Sequence, residues 1–157
     1  MDYEIVTLEE KIVVGISART NNTSPDMGDV IGGLWKRFYN EGIYASIPDK
    51  RSGKALGIYT EYTGNGKAEY TTKADYTIIV ACETEKEPQE GHYTVYRVPA
   101  GKYAKFVIYG DMVQAVAAAW QEIWQMDLPR AFQCDFEEYQ EGEDMKNMEI
   151  YIYVAIK

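Results

Sequence analysis

The chain repeats itself. Tyr3-Glu4-Ile5-Val6-Thr7-Leu8 matches Tyr93-Thr94-Val95-Tyr96-Arg97-Val98, and Leu34-Trp35 matches Ala119-Trp120. Further on, Tyr59-Thr60-Glu61-Tyr62 matches Phe136-Glu137-Glu138-Tyr139, and Asp75-Tyr76-Thr77-Ile78-Ile79-Val80-Ala81 matches Glu149-Ile150-Tyr151-Ile152-Tyr153-Val154-Ala155. The offset falls from 90 to 85, 77 and 74 residues, as expected when a second copy has shorter loops. Each copy reads as strand, helix, strand, strand, over about 1–84 and about 92–157. This predicts one α+β domain over 1–157, its halves packed about a pseudo-twofold axis with a groove between them. Clefts between repeats are favoured places for small-molecule sites.

Local patterns support each element. Residues 2–8 and 11–19 are rich in β-branched residues and read as a strand pair or one long bent strand. Ser24 is positioned to cap a helix with Pro25 in its first turn. The apolar set Val30, Ile31, Leu34, Trp35, Phe38 and Tyr39 forms one face of that helix, which ends near Gly42. Strands follow at about 55–63 and 74–84 around a Gly64-Asn65-Gly66 turn. In the second copy, strands at 93–98 and 102–109 precede a helix capped by Asp111. Val113, Val116, Trp120, Ile123 and Trp124 form its face, and Pro129 stops it. The last strands lie at about 131–140 and 148–156.

Composition excludes several classes of function. With 25 Asp and Glu against 16 Lys and Arg, the net charge is −9, opposite to the basic footprint nucleic-acid binding requires. No apolar run is long enough to cross a bilayer as a helix. The acidic start Met1-Asp2-Tyr3-Glu4 has no leader-like basic stretch, so a cytoplasmic location is expected. Cys82 and Cys134 lie in apolar strand contexts and read as buried structural thiols. The single histidine, His92, gives neither a zinc ligand set nor a Ser-His-Asp triad. No glycine pattern matches a phosphate-binding loop. No metal, cofactor or direct nucleic-acid partner is expected.

On a strand over 131–140, Glu137 shares a face with Asp135 and Tyr139, opposite Phe136 and Glu138. The repeat pairs Tyr62 with Tyr139 and Thr60 with Glu137, which puts a carboxylate in one copy only. A carboxylate among aromatic rings from both halves suits an organic cation, through charge and through the quadrupole of the ring faces.

The order of elements, the Pro99-x-Gly101-x-Tyr103-x-x-Phe106 segment, the Trp35 and Trp120/Trp124 helices and Asp135-Phe136-Glu137-Glu138-Tyr139 together resemble the GyrI-like effector-binding domains, over essentially the whole chain. These domains are also found attached to AraC-type and BmrR-type transcription regulators. The resemblance implies a pseudo-symmetric antiparallel sheet with two long helices. It also implies a pocket for lipophilic cationic or aromatic drugs, toxins or metabolites, with Glu137 as counter-ion. Without a helix-turn-helix segment ahead of it, a stand-alone member is expected. Trp35, Trp120, Tyr62, Tyr103 and Tyr139 are the expected ligand-binding aromatics beside Glu137. A second reading is a hydrolase of strained, cyclopropane-bearing genotoxic natural products. There Glu137 would activate water and Tyr139 would donate a proton. A third is a gyrase- or regulator-interacting protein, using the acidic run Glu137, Glu138, Glu141, Glu143 and Asp144.

Overall fold

The computed structural model describes residues 1–63, 75–142, 144 and 146–157. The Gly64-Asn65-Gly66 turn and Glu143 lie outside them. Eight strands occur in chain order: β1 (Glu4–Leu8), β2 (Lys11–Asn21), β3 (Lys50–Thr60), β4 (Asp75–Thr84), β5 (Thr94–Val98), β6 (Gly101–Gly110), β7 (Arg130–Tyr139) and β8 (Met148–Ile156). Among the described residues the helices are α1 (Met27–Asn40), the single turn α2 (Ile43–Ser46) and α3 (Gln114–Gln125). None among the described residues is long and apolar enough to cross a membrane.

All eight strands form one sheet in the order β1-β6-β8-β7-β3-β4-β2-β5, with every neighbouring pair antiparallel. Exchanging each strand of one copy for its counterpart in the other reverses this order and leaves it otherwise unchanged. The pseudo-twofold axis therefore passes between β3 and β7. The first strand of each copy pairs with the other copy, β1 on β6 and β5 on β2. Residues 2–8 and 11–19 are thus two strands in different parts of the sheet, not a pair and not one bent strand.

That exchange forces the sheet to curl. Glu9 and Glu10 alone join β1 to β2, and three residue steps reach at most about 11 Å. In a flat sheet the first and seventh strands would lie about 29 Å apart, six spacings of 4.8 Å. The link from β5 to β6 imposes the same closure at the other side. Curling brings the outermost strands together: Val6 and Leu8 of β1 and Tyr96 and Val98 of β5 all pack on one cluster built around Leu56, Ile58, Phe136 and Tyr153. Among the described residues this cluster contains no helical one, and on this face the sheet packs against its own edge strands.

The other face carries the helices. Leu34 and Phe38 of α1 cover Val14, Ile78 and Val80, while Val116, Trp120 and Ile123 of α3 cover Phe106, Ile150 and Ile152. Asp111 caps α3 as its sequence predicts, with Oδ1 accepting from the backbone N–H of Val113 at 2.8 Å and Gln114 at 2.9 Å. Those two bonds hold its carboxyl below the usual range. The start of α1 differs from expectation. The helix begins at Met27 after Asp26, and the Ser24 hydroxyl bonds the Asp26 carboxylate instead of a helical N–H. Cys82 and Cys134 are buried and unpaired on opposite faces, and burial pushes their thiols up to about 11 and about 12.

The ladder also corrects the alignment of the copies by one residue. Ala55 and Tyr59 of β3 face the helices, as do Glu137 and Tyr139 of β7, whereas Thr60 bonds Tyr96 and the Gln133 carbonyl on the opposite side. Only an even offset preserves the face, so the counterpart of Glu137 is Tyr59, at 78, and neither Thr60 with Glu137 nor Tyr62 with Tyr139 is a symmetric pair.

Two glycines give opposite expectations. A Cβ on Gly15 would lie 1.9 Å from the Val80 carbonyl oxygen, where β2 sits between β4 and β5. Gly15→Ala should lower the melting temperature steeply, since backbone must move to admit it. A Cβ on Gly33 meets nothing within 4 Å. Gly33→Ala should stabilise the protein by about 1 kcal/mol through helix propensity alone, read by urea unfolding.

Candidate functional site

Between α1 and α3, above the β3–β7 junction, lies a cleft of about 810 Å³. Its walls follow the repeat at an offset of 85: Ile31 faces it with Val116, Trp35 with Trp120, and Tyr39 with Trp124. The helices alternate core and cleft residues on neighbouring stripes, so Leu34 and Phe38 are buried while Trp35 packs on the core and still lines the opening.

Glu137 stands on the floor. Its place in β7 turns it toward the helices, and Gly57, directly opposite on β3, makes room for it. A Cβ on Gly57 would come within 3.1 Å of Glu137 Oε1 and 3.4 Å of the Trp35 ring. The carboxylate is 2% exposed. Tyr59 and Trp120 each donate to Oε2 at 2.7 Å, and Tyr139 donates to Oε1 at 2.7 Å. Oε2 is thereby saturated, and Oε1 retains one acceptor position. Burial raises the Glu137 pKa above its ordinary 4.5, and the three hydrogen bonds oppose that rise. Burial and the adjacent carboxylate push the Tyr59 and Tyr139 hydroxyls well above 10, which keeps both as neutral donors.

A second buried carboxylate lies two residues away. Asp135 is fully buried and is neutralised by Arg130, whose Nη2 donates to Oδ2 at 2.6 Å. Tyr62 donates to the same oxygen at 2.6 Å, and the Ala155 N–H donates to Oδ1 at 2.9 Å. A register shift between Arg130 and Asp135, with Phe132 at φ 55°, resets the alternation of β7 and lets Arg130 share the cleft side. Glu137 has no such cation: among the described residues it makes no ion pair. Nor do three His, Cys, Asp or Glu side chains converge there as metal ligands.

The structure brings Glu137, Tyr139, Trp35, Trp120 and Tyr62 into this one cleft. Tyr103 it places elsewhere. Its ring packs at 5.7 Å from Phe136 on the self-covered face, and its hydroxyl donates to the Pro99 carbonyl at 2.6 Å. On β6 it alternates with Ala104 and Phe106, which face α3, so the Pro99-x-Gly101-x-Tyr103 segment builds a corner of the fold. The acidic run also divides. Glu137 is buried on the floor, while Glu138 points away toward Lys54 and Gln140. Sequence reasoning missed Tyr59, Gly57 and Arg130. A one-residue misalignment hid Tyr59, and the bulge hid Arg130.

Comparison with known proteins agrees with this architecture. The family model described as "Cass2: Integron-associated effector binding protein" matches residues 4–156. An integron cassette protein from the mobile metagenome of Vibrio cholerae is 28% identical, with a TM-score of 0.71 over 97% of this chain and 95% of that one. SAV2435, solved bound to tetraphenylphosphonium, is 21% identical, with a TM-score of 0.78 over 100% and 94%. The C-terminal domain of EcmrR shares the fold at 16% identity and a TM-score of 0.60, over 100% and 99%. No curated protein sequence matches significantly. The palindromic sheet, the cleft between the paired helices and the match across nearly every residue place this chain in the GyrI-like family of integron-associated effector binding proteins.

Proposed function

We propose that the cleft binds lipophilic cationic molecules with several aromatic rings, and that Glu137 is their counter-ion. The carrying observation is the contrast between two buried carboxylates on one strand. Asp135 has its arginine, and Glu137 has only neutral donors. Removing an ionised carboxylate from water costs several kcal/mol, and hydrogen bonds from uncharged groups offset only part of this. A bound cation supplies the missing charge, while the faces of Trp35, Trp120 and Tyr59 supply apolar area and quadrupole attraction. The tetraphenylphosphonium in SAV2435 is a ligand of this kind in a protein of the same fold. Tyr59, Trp120 and Tyr139 take three of the four acceptor positions of Glu137, which leaves a single one for a water and favours the counter-ion role over activation of water for hydrolysis.

Tetraphenylphosphonium, titrated calorimetrically, should bind the wild type saturably, with a neutral multi-ring aromatic of similar size binding more weakly. Removing one partner of a buried charge pair costs about 2–5 kcal/mol, so Glu137→Gln should weaken the cation at least about thirtyfold. Equal affinity in the two proteins overturns the assignment. Affinity for the cation should also rise with pH through the raised pKa of Glu137, because the neutral acid offers no counter-charge.

The same carboxylate costs stability when the cleft is empty. The folded state holds the Glu137 proton more tightly than the unfolded chain does. Between the ordinary value of 4.5 and the raised one, its contribution therefore falls as pH rises, and above the raised value the loss is complete. Glu137→Gln keeps the shape: its amide oxygen accepts from Tyr59 and Trp120, and its amide nitrogen donates to the Tyr139 hydroxyl, whose own proton turns away. The variant should melt higher than wild type at pH 7, with the difference shrinking toward pH 4, as read by circular dichroism.

A further inference from the structure

One end of the cleft holds hydrogen-bond donors that the fold does not use. Arg130 lines the cleft, is 8% exposed and, among the described residues, donates a single hydrogen bond, from Nη2 to Asp135. Its Nε–H is buried with no partner among the described residues. A guanidinium carries five N–H donors, and a structural pairing with a buried carboxylate ordinarily uses two of them side by side. Asn22, in the turn after β2, also lines the cleft. Its Oδ1 accepts from the Tyr76 hydroxyl at 2.7 Å, which fixes the side chain, and its amide nitrogen donates to no group among the described residues. A run of contacts connects the two. Asp135 links Arg130 to Tyr62, the Tyr62 ring lies 6.1 Å from Tyr76, and Tyr76 bonds Asn22.

We infer that this end is a second subsite, where Arg130 and Asn22 receive an uncharged oxygen acceptor, such as an amide or ketone carbonyl, carried by the same ligand whose cationic part sits over Glu137. The inference rests on the counter-ion reading and adds to it. The acceptor is uncharged because Asp135 already neutralises Arg130, and a ligand carboxylate would share the cleft with the unpaired carboxylate of Glu137. Tyr59 and Tyr62 also line this cleft, but their hydroxyls are committed to Glu137 and Asp135. The cleft so described selects by two features at once: positive charge at its centre and an oxygen toward one end.

A matched pair of phosphonium ions tests this. (4-Benzoylphenyl)triphenylphosphonium presents a ketone where (4-benzylphenyl)triphenylphosphonium presents a methylene, with the same charge and nearly the same shape. A net hydrogen bond is worth about 1 kcal/mol, so wild type should prefer the ketone by about fivefold, or more if both donors engage. Arg130→Lys keeps a cation beside Asp135 but removes the fork of donors, and Asn22→Ala removes the amide without touching the Asp135 network. Each should reduce the preference, while Glu137→Gln should weaken both ions alike and leave their ratio unchanged. Should Arg130→Lys fail to fold by circular dichroism, Asn22→Ala carries the test alone. Equal binding of the two ions by wild type, with both weakened in Glu137→Gln, overturns the subsite and leaves the counter-ion standing. A ketone preference that survives both Arg130→Lys and Asn22→Ala also overturns it. Binding of neither ion overturns the counter-ion reading and this one with it.

Discussion

The two-residue link between β1 and β2 is the constraint on which the rest of the molecule depends. It joins strands that stand first and seventh in the sheet, so the sheet has to curl, and the equivalent link from β5 to β6 closes it from the other side. Curling covers one face with the sheet's own edge strands and leaves both helices for the other. Two helices related by a twofold axis flank that axis and leave the space over it open. The cleft thus follows from topology, before any residue in it is chosen.

What the twofold frame leaves equivalent, the residues then make different. At the axis, Glu137 of one copy has Tyr59 of the other as its counterpart, and the second donates to the first. A symmetric pair of carboxylates there would repel, and a symmetric pair of tyrosines would offer a cation no charge. Divergence at this single position turns a structural axis into a polar one. Gly57 completes the change, because a side chain there would crowd both the carboxylate and the Trp35 ring.

Much of this was legible in the sequence, and the failures have definite causes. The repeat and the periodicity of Leu34, Trp35 and Phe38 against Ala119, Trp120 and Ile123 give the fold, because helix faces must match the core they cover. The period of two along 135–139 puts Glu137 and Tyr139 together without a structure. Tyr103 could not be placed this way: on β6 both faces of the sheet are apolar, so alternation does not tell which one meets the helices. Tyr59 was lost for a related reason. In these strands a shift of one residue exchanges the two faces, and an alignment by residue likeness matches Tyr59 to Phe136 when the ladder requires Glu137. Arg130 depends on the register shift and on the positive φ of Phe132, which no propensity of Phe predicts.

The choice of donors around Glu137 also bears on what the cleft can hold. An arginine in place of Trp120 or Tyr59 would stabilise the carboxylate more and would fill its need for charge, as Arg130 does for Asp135. Tyrosine and tryptophan hold the oxygens in place through 2.7 Å hydrogen bonds while adding no charge, and their rings line the same space. A phenol with its pKa driven well above 10 cannot lose its proton near neutral pH, so the donors stay donors whatever enters. The floor is therefore preorganised in geometry and left incomplete in charge. On the proposed counter-ion reading, affinity for a cation comes from relieving a cost already present in the empty protein, and rings of many shapes can share that gain. On the same reading, discrimination among cations of similar size falls to the directional hydrogen bonds proposed at the Arg130 end.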